Sequence, residues 1–197
     1  MRILILAGWL LIPVGVGLWH LGPGQDRMLL DEVSRLLGEA DQHAAAGEYA
    51  EAVALYDEAL KQLPPERLAE GRRVRLEKAK AQMLAKQLPV AHGELKTLCE
   101  ELQADAKADP KLLRETRSAL AQSQYYMTWL MRLEGAPQDV WEPEIEAARQ
   151  TYRLLAEQSE RAGDAGAAKK DREDLESAVR LARMDLDELQ GLPLPSQ

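Results

Sequence analysis

Six basic side chains crowd one stretch of an otherwise acidic chain: Arg72, Arg73, Arg75, Lys78, Lys80 and Lys86, with Glu77 the lone opposing charge among them. Such a run can pair with an acidic peptide or a C-terminal carboxylate through charge-assisted hydrogen bonds. It can equally be a solvated face balanced by neighbouring glutamates, since exposed ion pairs contribute only ~0–1 kcal/mol. Further along, Tyr125, Tyr126, Trp129 and Met131 gather rings and a thioether, and Trp141 follows in an expected loop. Rings of that size dominate interface energetics. The chain has no Phe, however, so Tyr and Trp must also fill the core.

Little else offers chemistry. Cys99 shares a helical face with Leu98 and Leu102 and reads as a small buried hydrophobe. A nucleophilic thiol needs a histidine partner, and His92 is two turns away on the same helix. The three histidines have no paired spacing and there is one cysteine, so no metal centre is expected. A phosphate-binding glycine loop, a Gly-x-Ser-x-Gly elbow and a His-Glu-x-x-His helix are all missing. Carboxylate pairs such as Glu142/Glu144 and Asp185/Asp187 carry no information on acidic helices. The expectation is a protein that is not an enzyme and takes no cofactor.

The elements that position these residues are helices. At 197 residues, with 46% hydrophobic and 29% charged side chains, the chain is globular and one domain long, or one domain behind a leader. Its net charge of −8 argues against nucleic acid, which calls for a basic face. Ile3 to Trp19 carry no charge, with Arg2 in front. That length just meets the requirement for a membrane-spanning helix, and Arg2 would hold the N-terminus in the cytoplasm and export the rest. The competing expectation is a cleaved signal peptide and a secreted or periplasmic product, weakened by a poor small-x-small cleavage site at Gly15-Val16-Gly17. The expected organisation is an anchor or signal segment with its Gly22-Pro23-Gly24 linker over 1–24, a helical domain over 25–190 and a Pro-rich tail over 191–197.

From Gln25 onward strong helix formers dominate. Glycine and proline breaks at Gly47, Pro64-Pro65, Pro89, Pro110, Gly135 to Pro137, Gly163 to Gly166 and Gly191 to Pro195 cut the chain into seven helices. Expected spans are 26–46, 48–63, 66–87, 89–104, 110–134, 142–162 and 166–190. The short turns between them force antiparallel neighbours. In the third helix, Leu76, Ala79 and Met83 form one apolar stripe and Val74, Ala81, Leu84 and Leu88 a second. Two stripes imply two neighbours, as in a stack of hairpins. Leu175, Val179, Ala182, Leu186 and Leu189 run down the last helix at heptad spacing, a seam suited to packing on the preceding hairpin or to pairing two copies.

The segment from Gly47 to Pro64 resembles the second helix of a tetratricopeptide repeat (TPR). Gly47 matches the turn, Tyr49 the first aromatic, Ala52 and Ala59 the small contacts, Tyr56 the buried ring and Pro64 the terminator. Leu36 and Ala40 fit the preceding helix, whereas Glu39 and His43 stand where Leu and Tyr are usual. The spacing recurs at Ala91, Leu95 and Leu98 and again at Ala148, Tyr152 and Leu155. The resemblance implies an all-α fold of antiparallel hairpins stacked as a short solenoid, with a long C-terminal helix as cap. It also implies a scaffold that binds a partner peptide or helix in a groove, where Arg73 and Lys80 would face the ligand. The alternative is a structural protein that self-associates through its last helix, so a homo-oligomer is a possible partner state.

Overall fold

The proline and glycine breaks do their work through backbone geometry. Leu63 is held extended before Pro64 and ends one helix. Asp109 accepts from the backbone N–H of Lys111 and caps a helix whose first residue is Pro110. Gly47 takes a left-handed φ of 81° in the first hairpin turn, a conformation open to glycine at little cost. In the computed structural model, which describes residues 23–190 with side chains from 28 onward, these signals delimit eight helices and no strand among the described residues. They are α1 (Pro23–Ala45), α2 (Tyr49–Gln62), α3 (Leu68–Leu84), α4 (Leu88–Ala104), α5 (Pro110–Leu133), α6 (Gln138–Ala162), α7 (Ala165–Arg183) and α8 (Leu186–Gln190). Sequence neighbours pack in pairs, α1 on α2, α5 on α4, α6 on α5 and α7 on α6.

The chain divides into two compact units, Met1–Gly71 and Arg72–Gln197. In the first, Val33 and Leu36 of α1 close on Ala59 of α2. Ala40, Ala52 and Tyr56 are buried as well, and the Tyr56 hydroxyl donates to Asp41 at 2.6 Å. The second unit has two apolar clusters. One gathers Leu76, Ala79 and Met83 of α3, Leu88 to Leu102 of α4, and Leu112 and Ala119 of α5. The other joins Ala121 and Trp129 of α5, Ile145 to Leu155 of α6, Ala178 and Leu181 of α7, and Leu189 of α8. All nine residues of the recurring small–large–small spacing are buried, from Ala52 to Leu155, as close helix packing requires.

Four expectations need correction. No helix among the described residues is long and apolar enough to cross a membrane. The single-pass placement with a cytoplasmic N-terminus therefore has no spanning helix among the described residues to rest on; Ile3–Trp19, which carried it, lie outside them, as does the tail over 191–197. The expected linker at Pro23 and Gly24 is the first turn of α1, where proline is tolerated because its missing N–H would have no helical partner. α6 begins at Gln138, not 142, so Trp141 stands on a helix rather than in a loop, and the helix continues through Pro143. Finally, the last helix is not continuous. Met184 is extended and separates α7 from α8. Asp185 Oδ1 accepts from the Glu188 N–H and the Glu188 carboxylate from the Asp185 N–H, a reciprocal cap that starts a new helix. The seam from Leu175 to Leu189 is therefore split, with Leu186 exposed.

Candidate functional site

α5 presents Ser118, Gln122, Tyr125 and Tyr126 on one face, one and two turns apart. α7 presents Lys170, Asp174 and Ser177 at the same rhythm. Between these faces lies a cavity of about 290 Å³, and Tyr152 of α6 completes its lining. The rings of Tyr125 and Tyr126 meet edge to face at 5.6 Å, and Tyr125 leans on Trp129 at 6.1 Å. The aromatic cluster of α5 thus divides: Trp129 is core, while the two tyrosines are half-buried and line the hollow.

Two arginines on α5, about five turns apart, hold α7 on either side of that cavity. Arg114 donates to the Asp171 carboxylate at 2.6 Å, to the Ser159 hydroxyl at 2.7 Å and to the Leu155 carbonyl at 3.2 Å. Ser159 donates in turn to Asp171 at 2.6 Å, so one buried carboxylate ties three helices together. Arg132 donates to the Leu181 and Met184 carbonyls, which α7 leaves unpaired at its C-terminal end. Its guanidinium also stacks 4.7 Å over Trp141, which fixes the start of α6 to the same clamp.

The electrostatics of the hollow follow from partial burial. Desolvation pushes the Asp174 carboxyl above its usual range, helped by Asp171 and Glu173 and opposed by Lys170. The Tyr152 phenol is driven far above its ordinary value, chiefly by burial and then by the charge of Asp174. Tyr125 is raised as well, again mainly by burial. Among the described residues, no hydrogen bond or ion pair reaches the Asp174 carboxylate. Lys170, one turn earlier on α7 and in the same lining, is the cation that acts on it, through space.

The residues singled out in the sequence fall in different places. Arg73 and Lys80 lie two turns apart on α3 and do not line the cavity. Arg73 is exposed, 3.7 Å from Asp109, and Lys80 donates to Glu77 at 2.9 Å. Their basic neighbours are met across the hairpin by α4 and the turn after it: Arg72 pairs with Asp105 at 2.6 Å, Arg75 with Glu101 at 2.7 Å and Lys78 with Glu94 at 3.0 Å. Gly47, Tyr49, Ala52, Tyr56 and Ala59 form the α2 side of the first hairpin. Ala91, Leu95 and Leu98 on α4, and Ala148 and Leu155 on α6, are core contacts, whereas Tyr152 is both buried and part of the cavity lining. Burial raises the Cys99 thiol above its ordinary pKa, and the thiol accepts from Gln103 at 3.1 Å.

One juxtaposition lies beyond sequence reasoning. His92 Nδ1 is 3.1 Å from the Ser123 hydroxyl and Nε2 is 3.7 Å from Glu144, so three helices meet at one imidazole. The types suggest acyl-transfer chemistry, but Ser123 is fully buried and donates its proton to the Leu120 carbonyl at 2.7 Å. A hydroxyl with no access to substrate is a packing group. Burial holds His92 below its ordinary pKa, against the pull of Glu144, and therefore neutral. Among the described residues, no group of three or more His, Cys, Asp or Glu could hold a metal ion. Compared with known proteins, the chain matches no family model, and no curated protein aligns with it convincingly.

Proposed function

We propose that this chain is a non-enzymatic interaction module, built of TPR-like helical hairpins, that holds a partner peptide or helix in the groove between α5 and α7. The observation that carries the proposal is the cavity itself. Its walls are polar and aromatic side chains, and the two arginine clamps keep α5 and α7 at a set separation on either side of it. A pre-formed hollow of this kind binds without first ordering its own walls, which lowers the entropic cost of association. The TPR-like register, which places small residues at the hairpin contacts, rests on the burial of Ala52, Ala91, Ala148 and their partners. In the same register Arg73 and Lys80 offer a second contact zone on α3.

Selection of a random-peptide display library on the full chain tests this. Gln122→Arg and Ser177→Arg place bulky cations at two exposed positions of the groove rim without touching the core. Peptides selected on the wild type should lose at least tenfold in affinity on either variant. Equal binding to the blocked variants would remove the groove from consideration. Arg73→Glu with Lys80→Glu probes the second zone, and binding that survives this double reversal excludes it.

A further inference from the structure

We infer that the cavity between α5 and α7 is a subsite for an organic ammonium, supplied by a lysine side chain of the bound peptide, with Asp174 as its counter-ion and the rings of Tyr125, Tyr126 and Tyr152 as its walls. The inference rests on the groove assignment above and names the chemistry of its ligand.

The lining selects against other ligands one class at a time. An anion would face the Asp174 carboxylate across a partly desolvated hollow, where like charges repel more strongly than in water. A neutral apolar group would strip the remaining water from Asp174 and leave it without a donor, which is costly for a charge. A cation meets a carboxylate that Lys170, one turn away on α7, acts on only through space, with no hydrogen bond or ion pair to it among the described residues. It also meets three aromatic rings, whose electron-rich faces attract ammonium groups. About 290 Å³ accommodates the four methylenes and the nitrogen of a lysyl side chain but not a helix, so the peptide backbone stays at the rim. Lys170 lies one turn before Asp174 on α7, on the exposed flank of the opening. Its flexible stem lets its own ammonium swing into water when a ligand enters. The net charge of −8 over the whole chain attracts cationic partners at long range.

The test is an NMR titration of the full chain with Nα-acetyl-lysine N-methylamide, using the norleucine analogue as the uncharged control of nearly equal shape. The lysine probe should produce saturable shifts at the ring signals of Tyr125, Tyr126 and Tyr152, and the norleucine probe should bind at least fivefold more weakly. Asp174→Asn keeps the shape and removes the charge, and should weaken the lysine probe at least fivefold with an unchanged circular dichroism spectrum. Lys170→Gln removes the competing cation and should tighten binding about twofold. Opposite signs from two substitutions one turn apart are not produced by a general loosening of α7. No saturable shift, equal binding of the norleucine probe, or indifference to Asp174→Asn would each overturn the inference. The groove assignment fails separately. Display-selected peptides blocked by Gln122→Arg but showing no lysine enrichment would keep the groove and discard the ammonium subsite. Lysine-probe binding without any groove-dependent peptide would do the reverse.

Discussion

Asp171→Ala removes the carboxylate that ties α7 to α5 and α6. Asp171 is buried and accepts two hydrogen bonds of 2.6 Å, one from the Arg114 guanidinium and one from the Ser159 hydroxyl. A hydrogen bond involving a charged group contributes about 1.5–3 kcal/mol, and breaking a fully buried pair costs about 3–5 kcal/mol. Arg114 is about one-third open to solvent (31%), so water recovers part of what it loses. It also keeps its contacts with Ser159 and the Leu155 carbonyl. The expected cost is therefore about 2–4 kcal/mol, below the fully buried limit. For a chain of this size that corresponds to roughly 5–15 °C in Tm. Urea unfolding followed by circular dichroism measures it, with an unchanged m-value showing that the native state stays compact. Hydrogen exchange adds a spatial readout, because protection in α7 should fall more than in α4. Arg114→Met combined with Asp171→Leu replaces the pair by apolar groups and should recover at least half of the loss, since no unpaired charge is left behind. A loss under about 1 kcal/mol for Asp171→Ala, or a double variant as damaged as the single one, would refute the clamp.

Three further outcomes follow from particular residues. Lys86 holds a left-handed φ of 62° after α3, so Lys86→Gly should raise stability by about 0.5–1 kcal/mol, the relief of the side-chain clash less the added freedom of the unfolded chain; a lower urea midpoint would contradict it. His92 is held neutral by burial, so the unfolded chain binds its proton at higher pH than the fold does, and stability falls as pH drops from about 7 through 6.5. The wild type should lose stability relative to His92→Gln over pH 7 to 5.5, and a difference that is flat or of opposite sign would exclude this. Ala148 is fully buried in the α5–α6–α7 cluster, so Ala148→Leu should cost about 1–3 kcal/mol by overpacking; a neutral result in urea unfolding would mean that the helices are not in close contact there.

Helix identity and most boundaries were legible in the sequence because they depend on neighbours along the chain. Gly47, Pro64, Pro89 and Pro110 act through their own φ angles or missing donors, and the structure breaks helices beside each of them. The burial of Ala52, Tyr56 and Ala59, and of the two later sets, was likewise written in their spacing. Two local signals were present but passed over. The capping pattern from Asp185 to Glu188 marks the start of α8, and Pro137 followed by Asp139 marks the early start of α6.

What the chain determined by itself is therefore a set of amphipathic helices, their order, and which face of each leaves water. Only the tertiary structure decided which faces meet. The acidic side of α4 opposite the basic side of α3, the guanidinium of Arg114 between Ser159 and Asp171, and Asp174 beside three tyrosines all join residues from different helices. Helical period is a property of a few consecutive residues, whereas a charge pair or a cavity depends on the distance between segments many residues apart. That distance is set by how side-chain volumes fill the space between helices, and the order of residue types along one helix carries no record of it.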